Sequence, residues 1–145
     1  MTDERRDTDP APAPASDRPA LHALADDGFV SDAGRIDNLK HHGLTGSVSV
    51  LYSRAGSTRA SHYHKTDWHM LYVVEGEVHY YERAIGDTER PTVQIFTQGE
   101  MFYTPPMREH LLYFAADTVM VSLSNKTRSH EEHEKDVVRV SFAGQ

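Results

Sequence analysis

Gly56-Ser-Thr-Arg-Ala-Ser-His62-Tyr-His64-Lys-Thr-Asp-Trp-His69 is the stretch that decides the fold of this chain, and Gly76 follows it after six residues. Alternate residues of a β-strand point to the same face of a sheet, whereas residues two apart on a helix do not face each other. His62 and His64 therefore predict a strand that aims two imidazoles at one point. A metal site or a two-histidine catalytic site requires this arrangement.

Two further histidines are expected to join this pair. The five-residue step from His64 to His69 breaks the strand phase, so residues 65–67 are predicted to form a turn. We expect Asp67 either to cap this turn or to orient a ligating histidine. The chain then returns antiparallel and brings His69 opposite the pair, and His110 arrives from a distant part of the sequence. Four imidazoles from three strands would converge inside a β-barrel.

The rest of the chain alternates short apolar segments with turn signals. Residues 47–52 alternate with period two, and residues 68–75 are apolar on both faces. About ten such strands at short, fairly even spacing predict an all-β barrel or sandwich, as a single domain over residues 21–145. The only helix candidate is a turn or two around residues 129–135. One face of 68–75 should line the barrel, and the other should pack on a second sheet or a second copy of the chain, which favours a homodimer.

The amino-acid composition narrows the range of possible partners, sites and functions. The chain has 145 residues, 38% hydrophobic content, no cysteine and a net charge of -7. The acidic balance argues against nucleic acid as a partner, and the lack of cysteine excludes a thiolate metal site. No transmembrane segment or signal-peptide pattern is visible, so we expect no membrane association and a cytoplasmic location. Residues 1–20 are rich in charge, proline and alanine and are predicted to be a disordered tail.

The chain resembles the cupin family through two motifs. The first, G-x5-H-x-H-x3,4-E-x6-G, is matched at four positions: Gly56, His62, His64 and Gly76. His69 stands where the family has glutamate. The second, G-x5-P-x-G-x2-H-x3-N, is matched at three positions: Gly99, Pro105 and His110. Met107 replaces its glycine and Phe114 its asparagine. The resemblance implies a small single-domain cupin, a jelly-roll β-barrel.

A metal site is the expectation for the four histidines, which are His62, His64, His69 and His110. Neutral imidazoles suit divalent iron, nickel, zinc or copper. With His69 in place of the glutamate, the site has no anionic ligand, and the metal would be a stronger Lewis acid. Two alternatives remain open from the residues alone. The histidines either fill the barrel as polar residues or act as catalytic groups without a metal.

Arg59-Ala-Ser-His62-Tyr-His64-Lys65 resembles a segment of the nucleotide-sugar cupins. These are the 3,5-epimerases, with R-G-x-H-x-Q, and the 3,4-ketoisomerases, with R-G-x-H-x-H-K. The resemblance implies catalytic roles for His62 as the general base, His64 as a second acid–base group and Arg59 as the phosphate anchor, generally without metal. Ala60 departs from the family's glycine. Four tyrosines near the site in sequence are candidate donors to an enolate: Tyr63, Tyr72, Tyr103 and Tyr113.

The leading functional prediction is an isomerase or epimerase. Its substrate would be a carbonyl sugar or similar small metabolite in polysaccharide or natural-product biosynthesis. The alternatives are a metal-dependent iron dioxygenase and a non-catalytic module that binds a small ligand. His130 and His133 lie among carboxylates with no apolar neighbours, so we expect a solvated turn there. The same expectation applies to His22, His41, His42 and His79.

Overall fold

The computed structural model describes residues 25–39, 46–127 and 129–142. The predicted tail over residues 1–20 lies outside these ranges, as do His22, His41 and His42. Within the described ranges, no helix has the length and apolar character needed to cross a membrane.

Eleven strands and one short helix make up the described chain. In chain order the strands are β1 Ala25–Ser31, β2 Gly34–Leu39, β3 Ser47–Ser53, β4 Thr58–His64, β5 His69–Glu75, β6 Glu77–Ala84, β7 Thr92–Thr97, β8 Met101–Thr104, β9 Arg108–Phe114, β10 Thr118–Ser124 and β11 Val137–Arg139. The helix, α1, spans His130–Asp136 and is capped by the Ser129 side chain. The predicted β-rich architecture is confirmed, and the last strand is shorter than the sequence suggests.

The strands form two antiparallel sheets. One has six strands in the order β1-β2-β3-β10-β5-β8, and the other has five in the order β11-β4-β9-β6-β7. The described ladders do not close into a continuous ring, so the jelly roll is a two-sheet sandwich rather than a sealed barrel. Consecutive β4 and β5 lie in different sheets. His69 therefore reaches the pair from the other sheet and not from a neighbouring strand.

Alternating burial shows which faces meet. Along β3 and β10 every second residue is buried, as expected for strands with one face on a core. The core contains aliphatic and aromatic residues of both sheets: Ile36, Leu51, Leu71, Val73, Val78, Tyr80, Phe102, Leu112, Phe114 and Met120. The inward faces of β4, β5 and β9 continue from this core into the histidines. The apolar packing thus forms the rigid base on which the polar site is built.

The outer face of β5 is not covered by another element of the described chain. Leu71 and Val73 point inward and are buried, whereas Tyr72 and Val74 are 40% and 41% exposed. On the neighbouring β8, the outward Tyr103 is 52% exposed. A second sheet of this chain therefore does not supply the packing that the sequence predicts for this face.

Gly76 ends the first motif at the turn between β5 and β6. Its φ of +103° lies in the region that disfavours residues with a Cβ atom. A Cβ at this position would lie 2.5 Å from the carbonyl oxygen of Asp117 and 2.6 Å from Cα of Thr118. The backbone of the turn before β10 therefore leaves room only for glycine.

Met107 occupies the position of the second motif's glycine, and its φ is +60°. The turn brings its N–H to 2.8 Å from the carbonyl oxygen of His64, which joins the start of β9 to the end of β4. The Met107 side chain is 52% exposed. The residue thus adopts a left-handed conformation, which costs about 1–2 kcal/mol for a residue with a Cβ, and has little packing in return.

We expect Met107→Gly to raise the free energy of unfolding by about 0.5–1 kcal/mol, because relief of the left-handed strain exceeds the added entropy of the unfolded chain. The thermal midpoint should rise by about 1–4 °C. Met101→Gly is the control, since Met101 is similarly exposed but lies in β8 with an ordinary negative φ. That change should destabilise the protein. Equal loss of stability in both variants would contradict the assigned strain.

Candidate functional site

A β-bulge sets the direction of the first histidine. Ala60 and Ser61 both have positive φ, at 72° and 61°. The register of β4 on β9 shifts between Ala60 and His62, so that His62 lies opposite His110. Directly opposite residues of an antiparallel pair have side chains on the same face. The bulge therefore places the first-motif and second-motif histidines side by side, with Ala60 in a left-handed conformation that glycine adopts more readily.

The structure brings all four predicted histidines together in the interior. His62 and His64 come from β4, His69 from β5 and His110 from β9. All four side chains are buried. The ring-centroid distances are 4.6 Å for His62–His64, 4.9 Å for His62–His110, 4.6 Å for His64–His69 and 5.6 Å for His64–His110.

Three of the four rings are oriented by hydrogen bonds through one nitrogen. His64 Nδ1 lies 3.3 Å from a carboxylate oxygen of Asp136, and His69 Nε2 lies 2.9 Å from Asp67. His110 Nδ1 donates to its own strand, to the carbonyl oxygen of Arg108 at 3.1 Å. Such partners fix the tautomer and orientation of a metal-binding imidazole. Nε2 of His64 and of His110 is thereby available for a ligand.

The Asp67 carboxylate contacts a cluster histidine, as one of the two expectations has it, and does not cap the 65–67 turn. Besides its contact with His69, it accepts the backbone N–H of Lys126 at 2.9 Å. The turn over residues 65–67 is held by a different group, Asp136 of α1. Asp136 accepts from the N–H groups of Thr66 and Asp67 and from the Thr66 hydroxyl. Burial alone would raise the pKa of Asp136, but these bonds outweigh it and lower the pKa.

Three of the four cluster histidines have little affinity for protons. Burial is the largest cause, and it lowers the pKa of His64 to about 3, with repulsion from His69 and His110 adding to the shift. Burial followed by repulsion from His110 and His64 lowers the pKa of His62 far below its ordinary value. Burial also lowers the pKa of His110. These three side chains are therefore neutral imidazoles at neutral pH, which is the form that binds metals.

The residues present fit a transition-metal ion. Ligand nitrogens of His62, His64 and His110 lie within 4.8 Å of one another, and so do ligand atoms of a second group formed by His64, Asp67 and His69. Nδ1 of His62 is buried and has no hydrogen-bond partner among the described residues. A buried polar atom without a partner is costly, and coordination to an ion would satisfy it.

A cavity of about 340 Å³ opens over the cluster. Its walls carry apolar, hydroxyl and charged side chains, including Phe29, Ser31, Asn38, Leu51, Thr58, Arg59, His130, His133, Glu134 and Arg139. Arg59 Nε donates to the Ser53 hydroxyl at 2.8 Å and its terminal nitrogen to the carbonyl oxygen of Tyr52 at 3.0 Å. Burial lowers the pKa of Arg59. The cavity has the size and polarity for a small polar ligand.

The tyrosines proposed as donors do not line this cavity. Tyr72, Tyr103 and Tyr113 are exposed on outer faces, and Tyr63 is absent from the cavity wall. The buried tyrosine near the cluster is Tyr80, whose ring lies 6.1 Å from that of His110 and whose hydroxyl donates to Glu82 at 2.7 Å. The phenol is therefore part of the core behind the site.

The expectation of a solvated turn is wrong for His133. It lies on α1 and lines the cavity, with its ring centroid 5.4 Å from that of His64. His130, one turn earlier, stacks on Phe29 at 5.4 Å at the edge of the cavity. The signal in the sequence was the three-residue spacing of His133 and Asp136, which puts both on one helix face. Polar contacts, rather than an apolar stripe, hold this helix in place.

Comparison with solved structures shows a shared architecture. CapF from Staphylococcus aureus, a capsular polysaccharide assembling protein, is 23% identical and matches with a TM-score of 0.69 over 79% of this chain and 32% of its own. This chain therefore spans about a third of CapF. An RmlC-like cupin from Shewanella frigidimarina is 18% identical, with a TM-score of 0.58 over 79% of this chain and 93% of its own.

A third similar structure is the QdtA 3,4-ketoisomerase from Thermoanaerobacterium thermosaccharolyticum, a double mutant in complex with TDP. It is 16% identical, with a TM-score of 0.54 over 80% of this chain and 84% of its own. No protein-family model matches the chain, and no curated protein matches it. Likeness at these identities establishes the fold.

Proposed function

We propose, from the premise that this chain has the cupin fold, that it is a metal-dependent isomerase or epimerase acting on a carbonyl sugar or similar small metabolite. The observation that carries the proposal is the convergence of His62, His64 and His110, buried and uncharged, at the base of a cavity of about 340 Å³. Biosynthesis of a polysaccharide or natural product is the proposed context. The similarity to QdtA and to the RmlC-like cupin supports this choice.

The proposed ligands of a divalent iron, nickel, zinc or copper ion are His62, His64, His69 and His110. When bound, such an ion polarises a carbonyl oxygen as a Lewis acid. Asp136 and Asp67 hold His64 and His69 in the orientation this requires. The low proton affinity of the cluster favours the ligand role over a base, because a base must retain the proton it takes.

Proton transfer then falls to another group of the cavity wall. In isomerisation, the C–H bond next to the carbonyl breaks, its electron pair forms the enolate double bond, and the proton returns to the neighbouring atom or the opposite face. Glu134 is the one carboxylate among the described residues that line the cavity, and we assign it as the proton acceptor. In metal-free protein, His62 and His64 would instead take the base and acid–base roles that the resemblance implies.

Arg59 supports a substrate with an anionic group. Its guanidinium is half-buried, and among the ion pairs of the described residues none includes it. The two acceptors that it contacts, Ser53 and Tyr52, are both neutral. A half-buried cation without a counter-charge is stabilised by an anion, and Arg forms strong paired bonds to phosphate or carboxylate. The proposed role is the anchor for such a group.

Metal content of purified, untagged protein tests the proposal. We expect about one iron, nickel, copper or zinc per chain in the wild-type protein. This metal should be lost in His62→Ala and in His110→Ala, because each change removes one of the proposed ligands. His79→Ala is the control, since His79 is paired with Glu77 away from the cluster. Metal-free wild-type protein would refute the ligand assignment and leave a metal-free isomerase as the function to pursue.

An iron dioxygenase is the second candidate, because the four proposed ligands are all histidine nitrogens and none is a carboxylate. Such a site keeps the full charge of the ion and favours chelation by an anionic substrate. Oxygen consumption by the iron-loaded protein with candidate substrates distinguishes the two. Exchange of a substrate C–H proton with deuterated solvent, without oxygen uptake, supports the isomerase. Ligand binding without either reaction supports a non-catalytic binding module.

We further propose a homodimer through the outer face of the six-stranded sheet, where Tyr72, Val74 and Tyr103 are exposed. Tyr72→Lys should convert the protein to a monomer, because it places a charge at the centre of the contact. Light scattering after size-exclusion chromatography measures this. Ile95→Lys is the control, since Ile95 is 54% exposed on the five-stranded sheet. A monomeric wild-type protein, or equal behaviour of both variants, would contradict the assignment.

A further inference from the structure

We propose that His133 is a fifth histidine ligand of the metal, supplied by α1 from the cavity side. The inference rests on the proposed metal site and adds a ligand that neither cupin motif contains. The four strand histidines lie between the two sheets, whereas His133 approaches from the short helix at the edge of the five-stranded sheet.

Distance places the His133 ring next to the cluster. Its ring centroid lies 5.4 Å from that of His64 and 5.8 Å from that of His62. His64 and His110 are 5.6 Å apart by the same measure, although their nitrogens belong to one metal-capable group. With metal–nitrogen bonds of about 2.0–2.1 Å, two neighbouring imidazoles on one ion have ring centres about 5 Å apart. The His133–His64 distance therefore falls within the range of the cluster's own distances, and the His133–His62 distance lies slightly beyond that range.

The position of His133 is fixed from both ends of α1. The Ser129 side chain accepts the N–H of Glu132 at the start of the helix, and the carbonyl oxygen of His133 accepts the N–H of Val137 at its end. Three residues after His133, Asp136 holds both the 65–67 turn and Nδ1 of His64. Asp136 thus orients the ligand His64 and also positions the helix that carries His133.

The strand after the helix continues this alignment. β11 pairs antiparallel with β4, and its residues Val137 and Arg139 lie opposite His64 and His62. A helix that ends in such pairing has its last turn directly beside the two histidines of the first motif. α1 itself has no buried residue, so its place depends on these polar and backbone contacts. A ligand bond from His133 would add to them.

His130 supplies a matched control on the same helix. It is also a histidine of the cavity wall, but its ring stacks on Phe29 of β1 with an interplanar angle of 14°. Both residues are changed to alanine, which favours helix, so neither substitution weakens α1 through propensity. The two variants differ in whether the lost imidazole faces the cluster.

Cobalt(II) binding to the full chain tests the proposal. The readouts are the dissociation constant for Co²⁺, measured by competition with a chelator, and the visible absorption spectrum of the bound ion, which depends on ligand number and type. We expect His133→Ala to weaken Co²⁺ binding by about 10-fold or more and to change the spectrum, and His130→Ala to leave both unchanged. Added free imidazole should restore the wild-type spectrum to His133→Ala.

Each of the remaining outcomes would contradict a specific part of the proposal. Equal affinity and spectra for His133→Ala and His130→Ala would overturn the ligand role of His133 and leave the four-histidine site intact. Lower stability of the metal-free His133→Ala protein in urea, with an unchanged Co²⁺ spectrum, would show a structural role and would also overturn it. No Co²⁺ uptake by the wild-type protein would refute the proposed metal site itself.

Discussion

Between pH 7.5 and 5.5, the metal-free protein is expected to lose unfolding free energy on the order of 3 kcal/mol. The pKa values of His62, His64 and His110 are all depressed in the folded state, chiefly by burial. Near pH 6.5 and below, the unfolded chain binds protons on these residues and the folded chain does not. His62 and His64 each contribute on the order of 1 kcal/mol over this interval and His110 adds to the loss, so the three together remove a large part of a typical domain's stability.

The sign follows from the direction of the shifts. Stability is complete above the unfolded pKa of about 6.5 and falls as the pH decreases, and for His64 the fall continues to about pH 3. Urea unfolding of chelator-treated protein at a series of pH values measures the slope. His62→Gln should reduce this slope. A slope of one proton or fewer in the wild-type protein would contradict three buried neutral histidines.

Arg83→Met is expected to lower the free energy of unfolding by about 3–5 kcal/mol, because it leaves a buried carboxylate without its cation. Arg83 Nε donates to Glu109 at 3.0 Å, and Glu109 is only 5% exposed. The same guanidinium donates to the carbonyl oxygen of Ser141 at 2.6 Å and lies 4.2 Å from the ring centre of Phe142. The substitution therefore removes both the ion pair and the attachment of the segment after β11.

Urea unfolding at pH 7.5 measures this loss, with Arg108→Met as the control. Arg108 forms a similar pair with Glu82 at 2.8 Å, but that pair is more exposed and should contribute at most about 1 kcal/mol. Adding Glu109→Gln to Arg83→Met should recover part of the loss, since it removes the unpaired charge. Equal effects of the two arginine substitutions would show that burial does not determine the strength of the pair.

The sequence was sufficient to predict most of the sheet structure, because period-two alternation in β3 and the H-x-H pair of β4 are local signals. The convergence of His69 and His110 with that pair also followed from strand phase and motif spacing. The sequence did not predict that β4 and β5 lie in facing sheets. An antiparallel return is expected whether the two strands share one sheet or belong to two. The pattern of strands likewise does not distinguish a closed barrel from a sandwich.

The missed parts of the site depend on long-range polar contacts. Asp136 and His133 are more than 60 residues from the β4 histidines in sequence, and α1 has no apolar stripe to indicate a packed helix. The bulge at Ala60 and Ser61 was equally hidden, because neither residue is one that favours positive φ. The exposed Tyr72, Tyr103 and Tyr113 were close to the site in sequence but face away from it, since a one-residue step on a strand reverses the side chain.

The attachment of α1 to the β4–β5 turn has a consequence for how the protein is made. His62, His64, His69 and His110 all precede the helix, and Asp136 lies 26 positions after His110. At about 5–20 residues per second, a ribosome adds that segment in about 1–5 s. The strand histidines thus leave the ribosome before the helix that covers them. An ion that binds during synthesis would meet the histidines before α1 is in place, whereas an ion that reaches the finished protein would enter through the cavity whose wall includes α1.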